Sequence, residues 1–575
     1  MSVSDVPAVA DRETAPRTPA APLGHAAIVD VATAWRDQDP DDRTRAELDR
    51  LIADASAGDP AALAELHDRF DTRLEFGTAG LRGRIEAGSN RMNRVLVAQA
   101  AAGFAAYLLS RSDSPSVVIG YDGRTNSKVF ATDTAELMAG AGVRAIILPR
   151  LLPTPVLAFA VRHLDVSAGV MVTASHNPPA DNGYKVYLGG EDNGSQIVPP
   201  ADGEIATQIL RVAADENVLR LPRSEKYETA GEGVLDEYVR RTAALAGHPK
   251  SMLRYVYTAM HGVGWETAHR VFVGAGFGEP IVVKRQIEPD AAFPTVAFPN
   301  PEEPGALDLA FAAAAEAGAE LVIANDPDAD RLAVGFPDAD GSWQRLSGNE
   351  VGALLGWRAA ERLAGTEGVL AASIVSSPAL AEVARQYNLG YVDTLTGFKW
   401  VSRVPGLSYG YEEALGYLVD PEIVRDKDGI SAAVDFLALV SELKADGKTL
   451  LDHRLDFADR FGGFASAQIS IRVTDLTAIK RMMNGFRANP PSMIGASRVR
   501  AIEDFADGFA EFPPGDILRI WLEDGSRVIV RPSGTEPKVK VYIDASSTEG
   551  TAFERLARAQ ATVDALRAGI EPLLG

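Results

Sequence analysis

Short apolar runs alternate with longer amphipathic runs along most of this sequence, and that alternation leaves few folds open. Ser116–Asp122 (SVVIGYD) is predicted as a strand, Ser127–Gly142 as a helix, Val143–Pro149 as a strand, Thr154–Leu164 as a helix and Ala168–Ser175 (AGVMVTAS) as a strand. Strand–helix–strand units of this kind build a parallel-type sheet covered by helices. The rhythm returns after a polar, turn-rich zone, with predicted strands at Leu253–Met260 and Leu321–Asn325 and helices at Trp265–Ala275 and Leu307–Gly318. It returns again with predicted helices at Asn349–Ala364 and Pro378–Tyr387, strands at Gly368–Ser376 and Leu407–Tyr411, and a long helix from Ser431 to about Ala445. No repeat of fixed period is visible, so sequence alone does not make the three segments copies of one another.

The last segment reads differently. Ser466–Val473, Ile517–Leu522, Arg527–Arg531 and Val539–Ile543 are predicted as short alternating strands, closed by a helix over Ala552–Leu574. The expected fold class is α/β: three mixed α/β sandwich domains plus a C-terminal α+β domain. A chain of 575 residues suits that division at about 150 residues per domain. Residues 46–227, 228–341, 342–457 and 458–575 are the expected domains, and residues 1–45 an N-terminal extension. Residues 1 to about 27 are rich in Ala, Pro and scattered charge and are predicted to be disordered. Helix-like sequence follows from Ala26 to about Phe70.

Composition removes whole classes of function. Lys and Arg number 57 against 79 Asp and Glu, a net charge of −22. That balance argues against a nucleic-acid binder or a protein of anionic membranes, but a local Arg/Lys cluster still suffices for an anionic small substrate. There is no Cys, which excludes disulfides, thiolate nucleophiles, iron–sulfur clusters and Cys-ligated zinc and makes the cytoplasm the expected location. The first residues lack the basic start and apolar core of a signal peptide. Val95–Leu109 is shorter than a membrane span and reads as a buried Ala-rich helix.

Five clusters carry chemistry. Thr173-Ala174-Ser175-His176-Asn177-Pro178 follows a buried strand, where α/β folds place ligands, and Asn177-Pro178 forces a turn that presents the Ser175 hydroxyl. It is no nucleophile elbow, since G-x-S-x-G is absent; a plain strand-to-turn junction is the competing reading. Asp326-Pro327-Asp328-Ala329-Asp330-Arg331 also follows a strand. Its three carboxylates repel one another unless a cation joins them, and oxygen-only ligands favour Mg²⁺. Arg331 stands where an EF-hand needs Gly, and the twelfth position is Pro337.

Arg531-Pro532-Ser533-Gly534-Thr535-Glu536-Pro537-Lys538 has the charges, hydroxyls and free backbone N–H groups of a phosphate nest. Phe76-Gly77-Thr78-Ala79-Gly80-Leu81-Arg82-Gly83 lets backbone pass close to an anion with Arg82 as charge partner, but it is no Rossmann fingerprint. Gly447-Lys448-Thr449 fails as a P-loop because Glu442 occupies the first Gly position. In Gly410-Tyr411-Glu412-Glu413-Ala414-Leu415-Gly416, a carboxylate at a strand end can accept sugar hydroxyl hydrogen bonds, though a surface turn would look the same.

Taken in this order, TASHNP, DPDADR, TGFKW (Thr396–Trp400), GYEEALG and RPSGTEPK resemble the α-D-phosphohexomutase superfamily from about residue 70 to the C-terminus. The run FPTVAFPNPEEPGAL (Phe293–Leu307) is similar to the branch with phosphoglucomutase- and phosphopentomutase-type enzymes. The resemblance implies four domains around a central cleft. It implies that Ser175 carries a phosphoryl group, and that Asp326, Asp328 and Asp330 bind Mg²⁺ with the serine phosphate as a further ligand. Arg531, Ser533, Gly534 and Thr535 would hold the substrate's non-reacting phosphate, with Lys538 beside them. Glu412 would accept sugar hydroxyls, Lys399 would lie in the loop that reads sugar orientation, and Arg331 would support the metal loop.

Lys185, in Asp181-Asn182-Gly183-Tyr184-Lys185, is the implied general acid/base, with Arg82 and His176 near the reacting phosphate. A basic Lys185 requires a lowered pKa, which burial and Arg82 would supply. Ala414 departs from relatives that carry Ser there. The implied activity is a phosphosugar mutase acting between the 1- and 6-positions of a hexose phosphate, with a sugar bisphosphate of the glucose 1,6-bisphosphate type as activator. The alternatives are a phosphopentomutase, a metal-dependent sugar phosphatase and a non-catalytic phosphosugar-binding protein. The expected partner is a phosphosugar, with no nucleic acid or membrane, and the expected state is monomer or homodimer.

Overall fold

The computed structural model describes residues 23–77, 80–473, 476–532 and 538–574. Three sheets share one plan. In the first, the strand order is Arg144–Ile147, Ser116–Tyr121, Ala168–Val172, Asp181–Leu188. In the second it is Ile281–Val282, Tyr255–Thr258, Leu321–Asn325, Leu332–Pro337. In the third it is Gly390–Thr394, Val369–Ser373, Leu407–Glu412, Gly416–Leu418. The first three strands of each set run parallel and the fourth is antiparallel. Strands such as Ser116–Tyr121 and Leu321–Asn325 are buried along their whole length, as expected where helices cover both faces.

The antiparallel fourth strand fits the expected mixed α/β domains, but none of the three such strands is among the strands predicted from the sequence. Asp181–Leu188 escapes the sequence reading because it opens on polar Asp181 and Asn182 and carries Lys185, which break its apolar pattern. The consequence is functional. The Ser175 loop, the aspartate loop and the Glu412 turn are each the tip of a hairpin whose two strands are fixed in register.

The fourth domain is an antiparallel sheet in the order Gly463–Arg472, Lys538–Ser547, Arg527–Pro532, Leu518–Leu522, Ser497–Asp504, Met493–Ile494. Helix Ala552–Ile570 packs on it, started by a Thr551/Glu554 capping box. Strand pairing carries the first sheet through Glu228–Thr229 and the second through Trp343–Arg345, a few residues past the expected divisions. Ahead of the first sheet, helices His25–Arg36, Asp42–Ser56 and Pro60–Phe70 dock Ile28, Trp35, Leu48, Leu66 and Phe70 onto the buried helix Arg94–Arg111. Among the described residues no helix is long and apolar enough to cross a membrane.

One apolar core runs through the first three domains and includes Phe159, Phe272, Ile323, Leu354, Leu380 and Phe436. The fourth domain has its own core. It meets the third through a smaller cluster of Ile374, Val375, Phe505, Ile517 and Ile529, and through Phe464 packed beside Phe457 on the main core.

Candidate active site

The strand Leu321–Asn325 ends in a loop that turns through Ala329 in left-handed conformation, at φ 56°. That turn brings Asp326, Asp328 and Asp330 together, all wholly buried, with one oxygen of each lying within 4.8 Å of the others. Neighbouring elements fix them. Thr154, first residue of helix Thr154–His163, donates its hydroxyl to Asp328 Oδ2 at 2.6 Å and its N–H to the Asp328 carbonyl at 3.0 Å. The Arg331 N–H donates to Asp326 Oδ1 at 3.0 Å. Lys185 Nζ donates to Asp328 Oδ2 at 2.7 Å and Asp330 Oδ2 at 2.9 Å, and Lys427 Nζ lies 3.0 Å from Asp330 Oδ2.

Two oxygens of the triad, Asp328 Oδ1 and Asp330 Oδ1, are buried without a hydrogen-bond partner. A buried carboxylate oxygen left unpaired is costly. An all-oxygen donor set with spare lone pairs fits a hard divalent cation.

Ser175 sits at the neighbouring hairpin tip, buried and left-handed at φ 51°. Its hydroxyl donates to Asp326 Oδ2 at 2.8 Å and lies 3.2 Å from His176 Nδ1. The Ser175 N–H donates to Thr173 Oγ1 at 2.8 Å. Strand Leu81–Arg84 pairs with Asp181–Leu188, placing Arg82 opposite Gly183, and Arg82 Nη1 donates to Asn177 Oδ1 at 3.1 Å. Arg82, the Ser175–Lys185 hairpin and the three aspartates are thus gathered from three segments distant in sequence.

Burial and charge together set the ionisation of this group. Burial, reinforced by Asp328 and Asp330, pushes the Asp326 pKa well above the ordinary carboxylate range. Burial acts the same way on Asp330, but Lys185, Lys427 and Arg331 outweigh it and hold Asp330 ionised. For Lys185, burial favours the neutral amine, yet Asp328 and Asp330 prevail and raise its pKa. The lowered pKa expected from burial and Arg82 is therefore corrected, because Asp328 and Asp330 lie directly against the amine. Burial, then the charges of Arg331 and Arg82, keep His176 well below its usual value, so its imidazole is neutral.

The remaining expected residues come from the third and fourth domains. Glu412 Oε1 accepts the Gly397 N–H at 2.7 Å, tying its hairpin to the Thr396–Trp400 segment. Gly397 is at φ 112°, which a side chain would strain. Burial, then Glu413, raise the Glu412 pKa, while burial lowers that of Lys399, which feels Glu412 and Arg531. Arg331 points toward Glu302 at 3.6 Å, and the Leu332 N–H donates to the Leu415 carbonyl at 3.1 Å, joining the aspartate and Glu412 hairpins.

In the fourth domain, Arg531 and Lys538 stand at the two arms of a hairpin paired through Pro532 and Val539. Ser533, Gly534 and Thr535 lie outside the described residues. Sequence reasoning misses Thr154, Lys427 and Arg124. Lys427 had a usable signal: it lies in Asp426-Lys427-Asp428-Gly429, just before a buried helix. Thr154 had none, because its partner is distant in sequence.

Comparison with known proteins finds relatives along most of the chain. Family models for phosphoglucomutase/phosphomannomutase match in chain order: alpha/beta/alpha domain I over residues 73–216, domain II over 236–339, domain III over 347–457 and the C-terminal domain over 471–561. A "Probable phosphomannomutase" of Haemophilus influenzae is 56% identical over 465 residues, covering 81% of this chain and 95% of that protein. A phosphoglucomutase of Staphylococcus aureus is 34% identical across 83% of this chain and 91% of its own length. The human phosphopentomutase is 33% identical across 92% and 93%.

Among solved structures, a phosphoglucomutase/phosphomannomutase family protein from Burkholderia thailandensis superposes with a TM-score of 0.65 at 21% identity, covering 87% of this chain and 98% of that one. That likeness speaks to the fold. With four family models in register and a relative above half identity, the chain belongs to the phosphoglucomutase/phosphomannomutase family.

Proposed function

We propose that this enzyme is a phosphohexomutase that moves a phosphoryl group between the 1- and 6-positions of a hexose phosphate, through phospho-Ser175 and a bisphosphorylated sugar. The observation that carries the reading is the Ser175 hydroxyl 2.8 Å from Asp326, within a buried aspartate triad that has two unpaired oxygens. The relatives named for phosphomannomutase and phosphoglucomutase favour a hexose.

Asp326, Asp328 and Asp330 would hold Mg²⁺, which when bound neutralises charge on the phosphoryl group in flight. The remaining work falls to side chains. Phospho-Ser175 loses its P–O bond as the free sugar hydroxyl forms a new one, and the hydroxyl proton must leave. Lys185 is the proposed acid/base. Held protonated by Asp328 and Asp330, it stands ready as the acid that returns a proton to the seryl oxygen, and it acts as base only after giving one up. Arg82 and neutral His176 line the reacting phosphate.

Glu412 receives sugar hydroxyls and Lys399 reads the orientation of the ring. Arg531, Ser533, Gly534, Thr535 and Lys538 grip the other phosphate, and Arg331 supports the metal loop. A bisphosphate of the glucose 1,6-bisphosphate type loads Ser175. Because the intermediate must be held by either end, the separate core of the fourth domain suits a phosphate-holding domain that shifts.

The test is a coupled assay of glucose 1-phosphate, mannose 1-phosphate and ribose 1-phosphate side by side, with Mg²⁺ and a bisphosphate primer. Turnover of a hexose phosphate, lost in Ser175→Ala together with the serine phosphate, is the expected result. Exclusive turnover of ribose 1-phosphate would move the assignment to a phosphopentomutase. Release of free phosphate without isomerised sugar would make it a phosphatase, and full activity in Ser175→Ala would remove the phosphoserine altogether.

A further inference from the structure

Arg124 follows the buried strand Ser116–Tyr121 and is itself buried, with 4% of its surface exposed. A buried guanidinium normally meets a carboxylate or phosphate through its fork. Here Asp122 Oδ2 lies 3.4 Å from Nε as an ion pair without a hydrogen bond, while Asp122 Oδ1 accepts the Arg124 N–H at 3.0 Å and the Ser127 hydroxyl at 2.6 Å. The fork itself goes to main-chain carbonyls. Nη2 donates to the carbonyls of Ser175 and Asn177, both at 2.6 Å. Nη1 donates to those of Pro178 and Asp181, at 2.9 and 3.1 Å. All four belong to the hairpin tip that presents Ser175.

A second domain closes over this arrangement. The Phe293 ring lies 4.9 Å from the Arg124 guanidinium carbon, a cation–π contact. Phe293 is buried and left-handed, at φ 45°, a conformation a bulky residue rarely adopts without a compensating contact. Five residues on, Phe298 meets His176 edge-on at 6.2 Å. The segment therefore touches both the residue that gathers the serine loop and the residue next to the serine, while belonging to the domain that carries Asp326.

We propose that Arg124 is a positioning residue for phosphoryl transfer, with Phe293 holding it from the second domain. The inference rests on Ser175 being the phosphoryl carrier. Its physical content is twofold. The four bonds hold Ser175 in its left-handed turn, which points the hydroxyl at Asp326. They also occupy carbonyl lone pairs that would otherwise oppose a doubly charged phosphoryl group on the same loop. Lysine keeps the charge but loses the planar fork, so it does not serve four carbonyls at these angles. Phe293 makes the alignment of Ser175 with Asp326 a property of both domains.

The test compares wild type, Arg124→Lys and Phe293→Leu in the full chain. Ser175 phosphate is measured by intact mass after incubation with glucose 1,6-bisphosphate, alongside kcat, KM and Tm. Arg124→Lys is expected to lower kcat about 100-fold, the order expected for misplacing a reacting group by an ångström, with KM within about threefold of wild type. Its serine phosphate should load poorly. Phe293→Leu is expected to lower kcat by roughly 3- to 10-fold in the same pattern.

A role confined to stability would lower Tm and leave kcat per folded molecule unchanged, and that result overturns the inference. So does an Arg124→Lys chain that loads and turns over like wild type. If Arg124→Lys does not fold, Phe293→Leu decides by the same criterion. A wild-type chain that never takes up the phosphoryl group sinks the functional reading and this inference with it. A wild type that loads beside an unaffected variant sinks this inference alone.

Discussion

Thr154→Val separates orientation of the metal loop from its presence. The substitution keeps the β-branched shape at a wholly buried site and removes one donor, the hydroxyl that gives a 2.6 Å bond to Asp328 Oδ2. The Thr154 N–H still reaches the Asp328 carbonyl at 3.0 Å, and Lys185 still holds Oδ2 at 2.7 Å. The loop should therefore keep its path while its carboxylate loosens. A hydrogen bond to a charged group is worth about 1.5–3 kcal/mol. At about 1.4 kcal/mol per decade that is roughly a 10- to 100-fold loss, the same range found when partners that orient metal ligands are removed.

The loss should appear as an apparent Mg²⁺ constant raised by that factor, read from initial rates of hexose 1-phosphate turnover against Mg²⁺ concentration. Thr154→Ser retains the hydroxyl and should titrate near wild type. A Thr154→Val enzyme with an unchanged Mg²⁺ curve, or a Thr154→Ser enzyme as impaired as the valine variant, would refute the reasoning that this bond aims a metal ligand.

Asp428 caps helix Gly429–Ala445 through Oδ1 and receives the Tyr238 hydroxyl at 2.9 Å. Burial pushes its pKa up to about 6 from an ordinary 3.8. The folded chain then binds this proton more tightly than the unfolded chain. The stabilising contribution is full below pH 3.8 and fades as pH rises through about 6, leaving the ionised group about 3 kcal/mol less favourable in the fold. Asp428→Asn keeps a capping oxygen, so it should melt higher than wild type at pH 7.5 and lose that advantage near pH 4; a difference independent of pH would count against this account. Gly348→Ala would set a Cβ 1.8 Å from the Glu413 carbonyl oxygen, at the start of a helix packed on the Glu412 hairpin. Overpacking of this kind costs about 1–3 kcal/mol. Displacement of the hairpin should raise KM for the sugar phosphate while helix content by circular dichroism stays unchanged, and an unchanged KM would mean that the Glu412 turn does not touch substrate.

What could be read from the sequence follows a physical divide. Ser175 and the aspartates stand immediately after buried apolar strands, so local pattern alone places them at strand ends. Elements with a strong apolar pattern of their own, such as Leu321–Asn325 and the long helix ending at Ala445, come out with nearly the expected bounds. Long-range partnerships do not. Thr154 looks like an ordinary helix start, and its hydroxyl matters only because Asp328, 174 residues away, closes over it. Lys185 shows the same limit in reverse: its position was visible, but the sign of its pKa shift depends on two aspartates delivered by another domain. The common plan of the three sheets was hidden because connection lengths differ between them, which erases any fixed period while leaving strand order intact.

That common plan bears on how the proposed chemistry divides in space. A hairpin tip anchored by two paired strands has little freedom, so residues on it are placed by main-chain hydrogen bonds rather than by loop packing. Ser175 and Asp326 nevertheless belong to separate hairpins in separate domains, and their 2.8 Å contact is only as exact as the seam between those domains. The seam is made rigid by the apolar core that runs through the first three domains and by the Thr154 N–H bonded to the Asp328 carbonyl across it. Where the phosphoryl group changes hands, geometry must hold to a fraction of an ångström. Where the far phosphate is held, it must accommodate a sugar bound by either end. The fourth domain, with a separate core of its own, has the packing suited to that second demand. The partition of the core thus matches the partition of the reaction into a fixed transferring end and an adjustable holding end.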